Sequence, residues 1–248
     1  MDTSISELKQ LSTDQLESFN TEYVNGELWD AVIALIDKCF ATGEFAFLDI
    51  GGGNGVFTDR ILKHYPQSEA VLLDNASNLI EINTKHPRKK IIQDSVENLE
   101  KYLNTYDIDI VFINWVLHHL VSDTYKKTRS NIENTLTIIK RNERVKYLAI
   151  FENMYNGVLF DTLPSKLIFH ITSLQSIRFL TKKMGANTAG VGVSFLSKKM
   201  WVKLLSTIFG AADLSIVDFG LWNKMPLVRK VFLHIKNVYV SLFWIKNN

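Results

Sequence analysis

Residues 45–55 read Phe45-Ala46-Phe47-Leu48-Asp49-Ile50-Gly51-Gly52-Gly53-Asn54-Gly55, a nearly continuous apolar run that meets a cluster of glycines. The run over 45–50 has the length of a strand. Apolar residues on both of its faces demand cover on both faces, the condition of a parallel sheet. Behind the glycines, 56–64 has helical spacing, so the stretch is a strand–loop–helix unit. Glycine in such a loop permits positive φ and lets a ligand approach the backbone. The helix start beyond it offers unpaired N–H groups. Spacing decides what the loop holds. A dinucleotide fingerprint, G-x-G-x-x-G, would need glycine at position 56, where Val56 stands. Asp49, ending the strand, would repel a pyrophosphate and suits a ligand with a cationic, amino-acid-like end.

Upstream, Leu28, Ala31, Val32, Leu35, Ile36, Cys39 and Phe40 share one helical stripe, closed by Gly43. Downstream, strand patterns over 70–74, 90–93, 108–114 and 147–152 alternate with helical patterns over 76–85, 95–103 and 124–140. Short connections between apolar strands predict a parallel sheet with helices on both faces. After Glu152 the pattern loosens. Residues 154–196 hold one proline and four glycines, and are expected to fold partly as helix over the sheet edge. A helix capped by Ser197 and strands over 214–222 and 238–245 complete the reading. The chain is expected to be one domain, 1–248. Its parts are N-terminal helices (1–44), a cofactor-binding core (45–153), a lid or acceptor region (154–196), and the last helix and strands (197–248).

The loop resembles the first motif, D-x-G-x-G-x-G, of class I S-adenosylmethionine-dependent methyltransferases, through Asp49, Gly51, Gly53 and Gly55. Asp74 with Asn75, in VLLDNAS, matches the acid that such enzymes set on the ribose hydroxyls; a carboxylate can accept from both hydroxyls of a diol. Asp94 and Ser95 match the position contacting the adenine amino group. Asn114, in DIVFINWVLHHL, belongs to the fourth-strand motif. Four motifs in order, each at the carboxyl end of a predicted strand, carry the resemblance over 45–153. It implies a Rossmann-like, seven-stranded, mostly parallel α/β sheet with an added helical lid, and S-adenosyl-L-methionine as cofactor.

Asn114-Trp115-Val116-Leu117-His118-His119 is similar to the W-x-L-H-D-W segment of caffeate-type small-molecule O-methyltransferases. There a histidine deprotonates the acceptor hydroxyl, and His118 aligns with it; His119 stands where that family has Asp, and Leu120 where it has Trp. Glu152, ending YLAIFEN, matches an acid often found there. Imidazole titrates near neutrality, which suits removal of a phenolic proton. Histidines in V-L-H-H-L also serve to position, and both roles stay open. The catalytic candidates are His118, His119 and Glu152. Only about forty residues precede the first strand, so the acceptor pocket of that family, which leans on a large N-terminal domain, is not carried over. The tetrapeptide of nucleic-acid-base methyltransferases is absent, and no metal-ligand cluster is evident.

The composition excludes other classes. Hydrophobic residues make 46% and charged residues 22% of 248, which excludes a disordered or fibrous chain. No apolar run reaches a membrane span, and MDTSISELKQ lacks a signal-peptide pattern, so the cytoplasm is the expected compartment. Cys39 is the sole cysteine, which excludes an internal disulfide. The net charge of +2 hides an asymmetry: from Met154 onward twelve Lys/Arg face three acids. That is either a solvated basic face or a surface for an acidic partner, such as a carrier protein. Lys198, Lys199, Arg229 and Lys230 are the bases to weigh. Tyr23, Tyr155 and His170 are candidates for the acceptor pocket, and Trp201 and Phe209 for the core. The glycines within 187–193 suggest a lid entry. The expected activity is methyl transfer to a hydroxyl of a small molecule, free or carrier-bound. Carboxyl or amine acceptors, a fold that binds without turnover, and an RNA substrate are the alternatives.

Overall fold

The computed structural model describes residues 4–16, 21, 23–183, 187–220 and 225–248. In chain order the elements are α1 (Thr13–Leu16), α2 (Glu27–Cys39), β1 (Ala46–Ile50), α3 (Val56–His64), β2 (Glu69–Asp74), α4 (Ser77–Glu81), β3 (Lys89–Gln93), α5 (Leu99–Thr105), β4 (Ile110–Asn114) and α6 (Tyr125–Arg141). They continue with β5 (Tyr147–Gly157), α7 (Leu163–Ser173), α8 (Arg178–Lys183), α9 (Lys198–Phe209), β6 (Leu214–Phe219), α10 (Leu227–Phe232) and β7 (Ile235–Lys246). The seven strands form one sheet in the order β3-β2-β1-β4-β5-β7-β6. The first five are parallel, whereas β7 runs antiparallel to both β5 and β6. Strand order reverses at β1 and β4, so the crevice at their carboxyl ends is where such a sheet takes a ligand.

Neighbouring strand residues face opposite layers, and both layers are filled. Leu48, Ile50, Val111, Ile113, Leu148 and Ile150 pack beneath α5, α6 and α9 with Leu136, Trp201 and Leu205. Phe47, Ile110, Phe112, Ala149 and Phe151 pack beneath α2 and α3 with Val32, Ile36 and Ile61. The unbroken apolar strands are thus a consequence of two-sided cover. Ser197 caps α9, its hydroxyl accepting from the Met200 N–H at 3.2 Å, and Trp201 and Phe209 are buried.

The C-terminal half departs from expectation. β5 runs on past Glu152 to Gly157, because β7 pairs with it from Tyr147↔Lys246 to Asn156↔Asn237. β7 accordingly begins at Ile235 rather than Val238. A strand's length is set by its partner's hydrogen bonds, which one-dimensional patterning does not contain. β6 ends at Phe219; the last two residues of the expected strand, Leu221 and Trp222, lie outside the described residues. α4 stops at Glu81 instead of 85, and α10 has no counterpart in the sequence reading. Within 154–196 the expected helical cover is α7 and α8. No helix among the described residues is long and apolar enough to cross a membrane.

Candidate active site

The loop after β1 has the geometry that its glycines permit. Gly51 and Gly55 have φ of 68° and 76°. A Cβ on Gly51 would fall 2.3 Å from Val116 Cγ2, so even alanine meets both strain and collision. Gly51→Ala is expected to cost about 2 kcal/mol or more. In a chain of this size that lowers Tm by about 4 °C or more, and an unchanged Tm would contradict the tight loop packing. Gly55 caps α3 and is closed off by Asn83, whose Oδ1 stands 2.2 Å from a Cβ built there.

The carboxylates are tied to this loop. Asp49 is buried, with Thr58 Oγ1 donating to its Oδ2 at 2.6 Å. Asp74 accepts from the Gly53 N–H through Oδ2 and from the Ala76 N–H through Oδ1, each at 2.8 Å. Burial pushes the Asp74 carboxyl above its ordinary range, against the pull of these N–H groups. Asp94 behaves oppositely. The Tyr102 hydroxyl donates to it and holds its carboxyl low, with help from Asn98 at 2.9 Å and the Ser95 N–H at 2.7 Å.

These groups line a cavity of about 450 Å³. Asp49, Gly51, Gly53, Asp74, Asn75, Asp94, Asn114 and His119 are in its wall. Gly55 and Ser95 are not: Gly55 is buried at the start of α3 against Asn83, and the Ser95 hydroxyl is turned to Glu97 Oε2 at 2.8 Å. Asn114 Oδ1 is buried and has no hydrogen-bond partner, an acceptor held at the end of β4 beside the cavity.

A second cavity, of about 620 Å³, adjoins the first, with Tyr23, Trp115 and His119 common to both walls. Trp115 adopts a left-handed φ of 56°, stacks on Phe151 and donates from Nε1 to Asn153 Oδ1 at 3.2 Å. Such strain persists only where the surroundings enforce it. At the inner end of this cavity stands His118. Its Nδ1 lies 2.7 Å from Glu152 Oε2, and both side chains are buried. The carboxylate fixes Nδ1 as the protonated nitrogen and leaves Nε2 as the acceptor. Burial first, and the adjacent His118 second, hold the His119 imidazole well below its ordinary value, so it is neutral at pH 7. Tyr155 lines the second cavity too, whereas His170 lies exposed on α7 outside both. Among the described residues no His, Cys, Asp or Glu group could hold a metal ion.

Sequence reading missed two parts of the site. Residues 8–11 and Leu16 line the first cavity. They are held there by Lys9 N–H on the Val121 carbonyl at 2.8 Å and by the Gln15 amide on the Asn187 carbonyl at 2.6 Å. A short non-helical segment of mixed residues, Leu8-Lys9-Gln10-Leu11, has no periodicity to betray this. The second is a buried lysine. Lys89 Nζ meets Asp59 Oδ1 at 2.6 Å and Asn83 Oδ1 at 2.8 Å, while Asn83 Nδ2 donates to the Gly53 carbonyl at 2.6 Å. The chain Asp59–Lys89–Asn83 braces the glycine loop from behind.

Strand order, glycine turn and the acids at the strand ends together define a class I methyltransferase fold. Residues 48–142 match the family model of a methyltransferase domain. The malonyl-[acyl-carrier protein] O-methyltransferase of Halalkalibacterium halodurans is 26% identical over 196 residues, 76% of this chain and 63% of that protein. Malonyl-[acyl-carrier protein] O-methyltransferase 2 of Ilyobacter polytropus is 34% identical over 71 residues, 28% of this chain and 27% of its own length. The chain thus spans less than two thirds of either relative. Among solved structures, the plantazolicin methyltransferase BamL, in complex with a triazolic desmethylPZN analog and SAH, superposes with a TM-score of 0.59 at 15% identity. The match covers 95% of this chain and 90% of BamL, a likeness of fold.

Proposed function

We propose that the chain is an S-adenosylmethionine-dependent O-methyltransferase acting on a hydroxyl of a small molecule. The observation that carries this reading is the His118–Glu152 pair at the inner end of one cavity, directly beside the cavity built on the glycine loop.

The residues of the first cavity fit the cofactor. Asn114 Oδ1 is an unpaired acceptor suited to the amino group of the methionine moiety, with buried Asp49 supplying negative charge nearby. Asp74 accepts from backbone N–H groups through both oxygens, and a carboxylate has further acceptor capacity for a ribose diol. Asp94 remains ionised because its carboxyl is held low. When bound, the cofactor supplies an electrophilic methyl carbon on a sulfonium. The protein's part is then alignment and proton removal. The acceptor oxygen lies against His118, Nε2 takes the hydroxyl proton, and Glu152 stabilises the resulting imidazolium through Nδ1–H. His119, neutral and in both walls, positions rather than charges the site.

A second reading draws on the relatives, whose names place their acceptor on an acyl-carrier protein. A carrier-borne acceptor would enter the same cavity, and the excess of Lys/Arg after Met154 would meet the acidic carrier. Calorimetry with S-adenosylhomocysteine tests the cofactor half of the proposal. Binding with Kd of about a micromolar or tighter is expected, a free energy of roughly −8 kcal/mol. No binding, or preference for NAD, would overturn it.

A further inference from the structure

The second cavity has a charge pattern that methyl transfer alone does not require. Its walls are mostly apolar, built by Ile168, Val193, Phe195, Met225, Phe232 and Leu233 among others. No carboxylate lines it among the described residues. One permanent cation does, Arg229 of α10, and this side chain is half-buried and makes no ion pair or hydrogen bond among the described residues. A guanidinium presents five donors in a fixed fork, and one that lines an apolar space without an acid is suited to receive an anion.

Ring contacts order the cavity from end to end. His118 packs on Phe195 with ring centroids 4.5 Å apart, and Phe195 stacks on Tyr155 at 4.3 Å. Tyr155 in turn lies within the field of Arg229. Burial pushes its hydroxyl up to about 12, and the guanidinium pulls in the opposite direction. His118 is 5% exposed, whereas α10 carries Val228 at 82% and Phe232 at 64%. The cavity therefore runs from a buried proton acceptor, along aromatic walls, to a cation near the surface.

Resting on the O-methyltransferase reading, we infer that the acceptor is an anionic molecule, with its negatively charged group on Arg229, its body along Tyr155 and Phe195, and its reacting hydroxyl at His118. Attraction over this apolar path selects a carboxylate or phosphate over a neutral alcohol of equal length. It also fixes which end of the acceptor reaches the base. The anion can belong to a free amphiphile or to the phosphate of a carrier's phosphopantetheine arm.

Direct binding to the full-length protein separates these. Calorimetry is run with decanoate, 1-decanol and pantetheine 4′-phosphate on the native chain, on Arg229→Gln and on Arg229→Lys. Decanoate is expected to bind at least about tenfold tighter than decanol. Arg229→Gln should abolish that difference, leave decanol unchanged and leave Tm unchanged, and Arg229→Lys should retain part of it. Arg229-dependent binding of pantetheine 4′-phosphate without decanoate binding also supports the anion site and identifies the carrier as its source. Equal binding of decanoate and decanol, with no Arg229-dependent binding of pantetheine 4′-phosphate, overturns the inference. S-adenosylhomocysteine is titrated into the same samples. Its failure to bind would count against the methyltransferase reading and not against the anion site.

Discussion

Replacing His118 by alanine is expected to lower kcat by about a hundredfold to ten-thousandfold, the range in which a general base contributes. The affinity for S-adenosylhomocysteine should stay within about twofold, because His118 lines the second cavity and not the first. A large effect is expected because, among the described residues, the second cavity is lined by no other imidazole than His119 and by no carboxylate. His119 is the adjacent imidazole, but burial and His118 hold its basicity far down, and Glu152 lies behind His118 rather than in the cavity wall. Glu152→Gln supplies the complementary test. The amide keeps the size but can no longer stabilise an imidazolium, so turnover should fall and the acidic limb of the pH profile should move to lower pH. A kcat for His118→Ala within about threefold of the native value would reduce His118 to a packing residue under Phe195. Partial recovery of the variant at higher pH, where the acceptor ionises unaided, would separate proton removal from positioning.

The parts of this site that were legible in sequence are those fixed by local covalent geometry. Gly51, Gly53 and Asp49 were readable because one strand end and one turn hold them together, and glycine adopts the positive φ values found there without the strain a side chain brings. Asp74 and Asn114 were placed by the resemblance, and they stand at the ends of the two strands that flank β1. The pairing of His118 with Glu152 was not read, although β4 and β5 are parallel neighbours in the register Asn114↔Phe151. Knowing that two strands are adjacent is not enough; their register decides which side chains meet, and register is a tertiary property. Ser95 was assigned to the ligand from its place after β3, but its hydroxyl serves the turn from Val96 to Asn98, an alternative open to any serine at a helix start. Lys89 offered no signal at all, since a lysine in a short strand ordinarily points to water.

The wall of the second cavity shows a different limit. α10 spans only six residues, Leu227–Phe232, too few for a periodicity to be counted. Its one sequence mark is Pro226 at the N-cap. The glycines at 190 and 192 do mark a turn, with φ of 85° and 110°, and a Cβ on Gly192 would meet Ser173 Oγ at 2.4 Å. Their neighbours Asn187, Thr188 and Val193 line the second cavity. In 154–196, where a lid was expected, the structure has α7, α8 and this turn. Further wall residues, Val228, Arg229 and Phe232, come from α10, which lies beyond β6 in the chain.

Asp74→Ala is expected to weaken S-adenosylhomocysteine binding about a hundredfold or more. Hydrogen bonds to a charged acceptor contribute about 1.5–3 kcal/mol each, and two to a ribose diol exceed the roughly 2.8 kcal/mol that a hundredfold requires. The substitution also frees the Gly53 N–H, bound at 2.8 Å in the native chain, so the loop loses its hold as well as the ligand its partner. The effect of pH has a definite sign. Burial raises the Asp74 carboxyl above its value in the unfolded chain. Its contribution to stability is therefore present below the unfolded value and lost as pH rises through the folded one. Affinity runs the other way, because only the carboxylate can accept from both hydroxyls. Binding to the native chain should weaken on acidification through that raised value, and the Asp74→Ala variant should lose this dependence. Calorimetry on both proteins between neutrality and mild acid reads the two slopes. Parallel slopes, or an affinity for the variant within about threefold of native, would remove Asp74 from the ribose site and leave it only as a brace for the loop.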